Sequence, residues 1–97
     1  NMIADSAMWV EAARLLVQKT AWLYDQGFPI VKEASICKLF ASETAREVTN
    51  RMLQIHGGRG MTTDFLIEKL WRDAKLTEIG EGASEIQRLI IAKQLLK

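Results

Sequence analysis

Residues from about 2 to 26 contain neither proline nor glycine, and the polar residues Glu11, Arg14, Gln18 and Asp25 recur at helical spacing. The other faces of this predicted helix carry Met8, Trp9, Ala12, Ala13, Leu16 and Leu23. A helix with so narrow a polar stripe needs cover on several sides. Gly27 and Pro29 predict its end, because glycine accepts a left-handed cap and proline cannot continue the helix. A second long helix is predicted from about Val31 to Ile55. Ala34, Cys37, Ala41, Thr44, Ala45, Val48, Met52 and Ile55 fall on one side of it; Lys38, Glu43, Arg46, Glu47, Asn50 and Gln54 lie on the others. Glu43 to Glu47 and Arg46 to Asn50 read as a solvated face. The short connection makes these two helices antiparallel neighbours.

The run Gly57-Gly58-Arg59-Gly60 breaks the pattern. A third helix is predicted to start near Thr62 or Thr63, either of which can cap it, and to run through Phe65, Leu66, Leu70, Trp71 and Ala74. A loop around Glu81 ends it. Ser84-Glu85-Ile86-Gln87 has the S-x-x-Q form of a capping box, ahead of a final helix from Glu85 to about Leu96 that carries Ile86, Leu89, Ile90 and Leu95. With no strand, repeat or low-complexity segment, the expected class is all-α: one domain over residues 1–97, an antiparallel helical bundle of about four helices. The fourth helix is short and the first two are too apolar for a lone bundle. That predicts further helices or partner subunits over exposed apolar flanks. The chain also opens inside a helical pattern, at Asn1-Met2-Ile3-Ala4-Asp5, which points to a piece cut from something larger.

Composition adds little but excludes much. The formal charge is +1, from 13 basic and 12 acidic residues spread along the chain, so no basic stripe marks a nucleic-acid or membrane surface. Asp5, Glu11 and Arg14 interrupt the first apolar run before a membrane span could be completed. One histidine and one cysteine leave no metal site of the common N/S type, and the lone Cys37 predicts a reducing compartment. Cys37 itself reads as a structural thiol. Trp9, Trp22, Trp71, Phe40 and Phe65 read as core or interface rather than a cofactor cage.

Two loops are candidates for chemistry. The glycine cluster after His56 is either a helix terminator and turn, or a place where backbone amides approach a dinucleotide phosphate with Arg59 adding charge. It has neither the Rossmann nor the P-loop spacing. His56, at a helix end, reads as a residue that caps carbonyls. Glu81 stands between Gly80 and Gly82, just before a helix. Covered by a thioester substrate and an apolar cofactor ring, such a carboxylate would have its pKa raised towards neutrality, as a general base requires. One carboxylate without a metal suits removal of an acidified C–H proton next to a carbonyl.

Two runs together resemble the C-terminal helical domain of the flavin-dependent acyl-CoA dehydrogenases. One is Gln54-x-x-Gly57-Gly58-x-Gly60-Met61-x-x-Asp64, with Lys69 and Asp73 following at the family's spacing. The other is Arg72-Asp73-Ala74-Lys75 leading to Ile79-Gly80-Glu81-Gly82-Ala83-Ser84-Glu85-Ile86-Gln87-Arg88. Lys32-Glu33-Ala34 and Lys38-Leu39-Phe40-Ala41-Ser42-Glu43 also look like the family's preceding helix. The resemblance covers nearly the whole chain.

The resemblance implies oxidation of an acyl-CoA to the trans-2-enoyl-CoA, as in fatty-acid β-oxidation. Glu81 matches the base that takes the pro-R α-proton, while the β-hydrogen leaves as hydride to FAD. Gly82 matches the residue beside the substrate thioester. Ala83, Ser84 and Glu85 match a segment lying against FAD; Gln54, Ile55, His56, Gly57 and Gly58 match a stretch that meets the FAD of a neighbouring subunit. It further implies a homotetramer, a dimer of dimers, with an electron-transfer flavoprotein as electron acceptor. The compartment would be the mitochondrial matrix for a eukaryotic source and the cytoplasm for a bacterial one. Many relatives have tyrosine at the position of Gly80 and threonine at that of Ala83, so here the flavin is offered backbone but no hydroxyl at position 83. The family's N-terminal helical domain and β-domain are outside this chain, which is therefore expected to be inactive alone. A catalytically inactive, stand-alone helical oligomerisation module is the alternative reading, and a relative acting on a nitroalkane or sulfur compound is a third.

Overall fold

The end of the first helix shows how closely local sequence sets local structure. In a computed structural model that describes residues 1–62, 66–80 and 82–97, α1 spans Met2–Asp25. Gly27 follows it with φ of 85°, Gly27 N–H donates to Tyr24 O (3.0 Å), and Phe28 N–H donates to Leu23 O (3.1 Å). These paired bonds form a Schellman motif, which satisfies carbonyls that the last helical turn leaves free. At the other end the Asn1 side chain accepts from the amides of Ile3 (2.9 Å) and Ala4 (3.4 Å) and caps the helix.

The remaining elements are α2 (Val31–His56), a 3₁₀ turn (Gly57–Met61), α3 (Ile67–Ile79) and α4 (Ser84–Leu95). Among the described residues the fold is entirely helical, as the periodicity predicts. α2 is the hub, with α1, α3 and α4 each packed along it. α1 runs antiparallel to it: Arg51, near the end of α2, reaches Asp5 (3.5 Å) and lies 4.2 Å from the ring centre of Trp9 near the start of α1.

Contact on so many sides corrects the expectation that α2 has one packed side and one solvated face. Arg46 pairs with Glu78 of α3 at 3.1 Å, and Glu43 pairs with Arg88 of α4. The residues that α2 buries are Ser35, Ser42 and Thr44, small enough to let neighbouring helices come close. Predicted contact positions Ala34 and Ile55 are exposed instead.

Two boundaries also differ. α3 begins at Ile67 after Leu66, which makes no side-chain cap; the Thr62 hydroxyl donates to Arg59 O at 2.7 Å. Thr63, the other predicted cap, lies outside the described residues, as do Asp64 and Phe65. α4 begins at Ser84 rather than Glu85. Its N-cap is Ala83, with no side-chain capping bond, so the predicted capping box does not form.

Among the described residues the buried apolar side chains are Ile67 and Ala74, both on α3. Met8, Trp22, Phe28, Leu66 and Leu89 are each more than half exposed. The molecule is a slab of 48 × 23 × 22 Å with a radius of gyration of 15.4 Å. A free-standing domain of this length would have about 12.5 Å. Exposed apolar flanks are therefore a property of this fold, in line with the sequence reading.

Candidate functional site

The bend between α3 and α4 is held from three sides. Gly80 closes α3, its N–H donating to Leu76 O at 2.7 Å. Gly82 has φ of +106°, and a Cβ there would stand 2.4 Å from Gln87 Nε2. The left-handed backbone favours glycine here, and any side chain would also have to displace the end of Gln87. Lys38, half-buried on α2, donates from Nζ to Gly82 O at 2.7 Å and reaches Glu78 O at 3.4 Å. The last turn of α3 has no basic residue of its own. Lys38 therefore supplies, from another helix, the cation that the carbonyl end of α3 favours. Glu81, the predicted base, lies outside the described residues.

Lys38 was not legible as part of this site; the sequence reading placed it away from the packed side. One signal was available. Ser35 and Ser42, small enough to admit a neighbouring helix, lie three residues before and four after it on the same helical stripe.

The segment Ala83–Glu85 begins α4. Ala83 is extended (φ −61°, ψ 158°), and its carbonyl accepts from Gln87 N–H at 3.0 Å. Glu85 is exposed in the first turn. Ser84 Oγ is buried, with no hydrogen-bond partner among the described residues. Buried hydroxyls nearly always have one, since leaving one unmade costs about 1–3 kcal/mol.

The second predicted segment, Gln54–Gly58, closes α2. Gln54, Ile55 and His56 are exposed, and His56 Nδ1 sits 2.8 Å from Met52 O, the helix-end role its position suggests. The glycines that follow divide by cause. Gly57 has φ of +67°, and a Cβ on Gly60 would press within 2.8 Å of Leu53 Cδ1. The turn alone accounts for both. A Cβ on Gly58 would meet nothing within 4 Å. Gly58 borders an open hollow of about 320 Å³, lined also by Asn50, Leu53, Gln54, Gly57 and Met61.

The two segments are not brought together. Lys38 touches the Gly82 bend, and Gln54 lies 16 residues further along α2, roughly 24 Å at 1.5 Å per residue. A ligand seated on the bend and one seated at Gly58 would therefore lie well apart along α2.

A hollow of about 590 Å³ lies between α2 and α3 and is lined by Arg46, Glu47, Asn50, Trp71, Arg72 and Lys75. Its cations already face carboxylates: Arg46 meets Glu47 and Glu78, Arg72 meets Glu68, and Lys75 meets Glu78. It contains none of the predicted site residues. Cys37 is half-buried in a groove between α1 and α2. Among the described residues no cluster of three metal-ligating side chains occurs, and no helix is long and apolar enough to cross a membrane.

Comparison with known proteins places this architecture. The family model for the acyl-CoA dehydrogenase C-terminal domain matches residues 1–96. The probable acyl-CoA dehydrogenase YngJ of Bacillus subtilis is 56% identical over 95 residues, which cover 98% of this chain and 25% of that protein. The acryloyl-CoA reductase (NADH) of Anaerotignum propionicum is 54% identical, covering 98% of this chain and 24% of the other. The solved structure of butyryl-CoA dehydrogenase from Megasphaera elsdenii superposes with a TM-score of 0.96 at 40% identity, over 99% of this chain and 25% of that one. The chain thus spans about a quarter of the length of the relatives it matches. A helical slab built on α2, with the glycine turn at one end and the pinned bend beside Lys38, belongs to the acyl-CoA dehydrogenase family, as its C-terminal domain.

Proposed function

We propose that the protein carrying this domain oxidises an acyl-CoA thioester to its trans-2-enoyl-CoA, with Glu81 as the base that takes the α-proton. The observation that supports this reading most is the pinned bend. Gly82 holds a left-handed backbone conformation and its carbonyl accepts from Lys38, so the bend is tied to α2. A base placed to within a fraction of an ångström is what proton abstraction in a bound complex requires.

The residues present fit FAD as cofactor. Ser84 Oγ is a buried hydroxyl with no partner among the described residues, at the start of α4 where Ala83, Ser84 and Glu85 would border the flavin. Gly57 and Gly58 line a hollow where backbone can approach a second group closely, with Gln54, Ile55 and His56 beside it. Bound FAD would supply the acceptor for the β-hydride, which no side chain provides. This chain's own part is to hold the thioester end against Gly82, to remove the α-proton at the Glu81 carboxylate, and to wall the site from water. The wide separation of Gln54–Gly58 from Ala83–Glu85 supports their serving two different flavins, one in the same subunit and one in a neighbour. The exposed apolar flanks support a homotetramer built as a dimer of dimers, with an electron-transfer flavoprotein reoxidising it. The matrix of a mitochondrion or the cytoplasm of a bacterium would be its compartment.

The direction of reaction has a second reading. The relative at 54% identity is named an acryloyl-CoA reductase, so net reduction of a 2-enoyl-CoA, with Glu81 returning the α-proton, is also within reach of this scaffold. Full-length protein carrying Glu81→Gln is the test. Flavin content stays at the wild-type level, while flavin reduction by acyl-CoA slows by about 10²–10⁴-fold, the usual scale for losing a general base. An unchanged rate removes Glu81 from the role, and flavin reoxidation by enoyl-CoA in the same samples reports the preferred direction.

A further inference from the structure

We propose that Lys38 is a positioning residue for the base: its ammonium group ties the carbonyls on both sides of position 81 and so sets where that carboxylate is presented. The inference rests on the reading of Glu81 as base. Its own support is geometric.

Lys38 Nζ contacts Gly82 O at 2.7 Å and Glu78 O at 3.4 Å, two carbonyls four residues apart that bracket the turn from α3 into α4. No basic residue in the last turn of α3 duplicates it. Among the described residues, a second link between α2 and the end of α3 runs through the Glu78 side chain, which Arg46 holds at 3.1 Å. That contact fixes the helix, whereas Lys38 reaches past it to the bend itself. The carbonyl it holds belongs to Gly82, in the peptide unit that joins Gly82 to Ala83, and Gly82 has φ of +106°. Released from Lys38, that peptide is free to rotate about Gly82, the most permissive residue in the bend. The turn would lose its aim while both helices kept their packing.

A group held about 1 Å out of place costs a reaction on the order of 10²-fold without weakening ligand binding. The experiment uses the full-length flavoprotein with Lys38→Met, which keeps the stem and removes the donors, and Lys38→Arg, which restores charge and donors. Flavin content, assembly state and thermal midpoint are recorded together with the limiting rate of flavin reduction and the apparent dissociation constant for acyl-CoA. In Lys38→Met the limiting rate falls by about 30–100-fold with the dissociation constant changed less than about threefold, and Lys38→Arg recovers most of the rate. In a Glu81→Gln background Lys38→Met adds less than about threefold, because its effect passes through Glu81.

An unchanged limiting rate in Lys38→Met overturns the proposal. So does a loss that tracks flavin release or a lowered midpoint equally in both Lys38 variants, which is the behaviour of a purely structural lysine. If Glu81→Gln is slow and Lys38→Met is fast, the positioning role alone fails. If Glu81→Gln is fast, the base assignment fails whatever Lys38→Met does.

Discussion

A methyl group at position 82 would meet two obstacles: a backbone φ of +106° and the Gln87 amide nitrogen, 2.4 Å from where the methyl would sit. The amide can swing partly aside, but the backbone strain stays. Gly82→Ala is therefore expected to destabilise the α3–α4 bend by about 1–3 kcal/mol, seen as a lowered thermal midpoint of the full-length protein. Gly58→Ala is the contrasting case. Its methyl enters open space, so the midpoint holds to within about 0.5 kcal/mol while flavin retention falls. Equal losses of stability in the two variants would contradict this division of the glycines. Both residues were legible in the sequence as loop glycines. Which of them the fold itself needs was not, because that depends on the backbone conformation at Gly82, on Gln87 arriving from the next turn of the chain, and on the space left open at Gly58.

Among the elements, α1 is tied to the rest through α2, and among the described residues its charged anchor is Arg51. That side chain combines a half-exposed ion pair to Asp5 with a stack over Trp9. An exposed pair is worth at most about 1 kcal/mol, and the cation–π contact adds a comparable amount. Arg51→Ala is expected to cost about 1–2 kcal/mol, and Arg51→Lys to recover only part of it, since lysine lacks the planar stack. Equal stability of the alanine variant and wild type would show the contact to be ornamental. The four helices themselves follow from spacing and from Gly27, Pro29 and the glycine cluster. Their detailed ends follow less well: Ser84 satisfies the capping-box pattern by sequence, yet its hydroxyl is buried inside the first turn.

At the scale of the molecule, apolar side chains such as Trp22, Phe28, Leu89 and Leu96 stand exposed along the slab. A surface of this kind is rarely left open to water. The isolated 97-residue chain is accordingly expected to self-associate and to bind a hydrophobic dye strongly, and to turn over no acyl-CoA. Sedimentation as a clean monomer without dye binding, or measurable turnover, would contradict this.

What the sequence by itself determined is local: helix periods, the residues that stop each helix, and the two glycine-bearing motifs whose spacing marks the family. Those depend on neighbours a few positions apart. What only the tertiary structure decided is how α2 is shared among three partners, why Lys38 faces the bend instead of solvent, and that the two candidate loops meet α2 well apart. These depend on which side chains meet across tens of residues, and hydrophobic periodicity carries no record of that when a helix is packed on several faces by small polar residues.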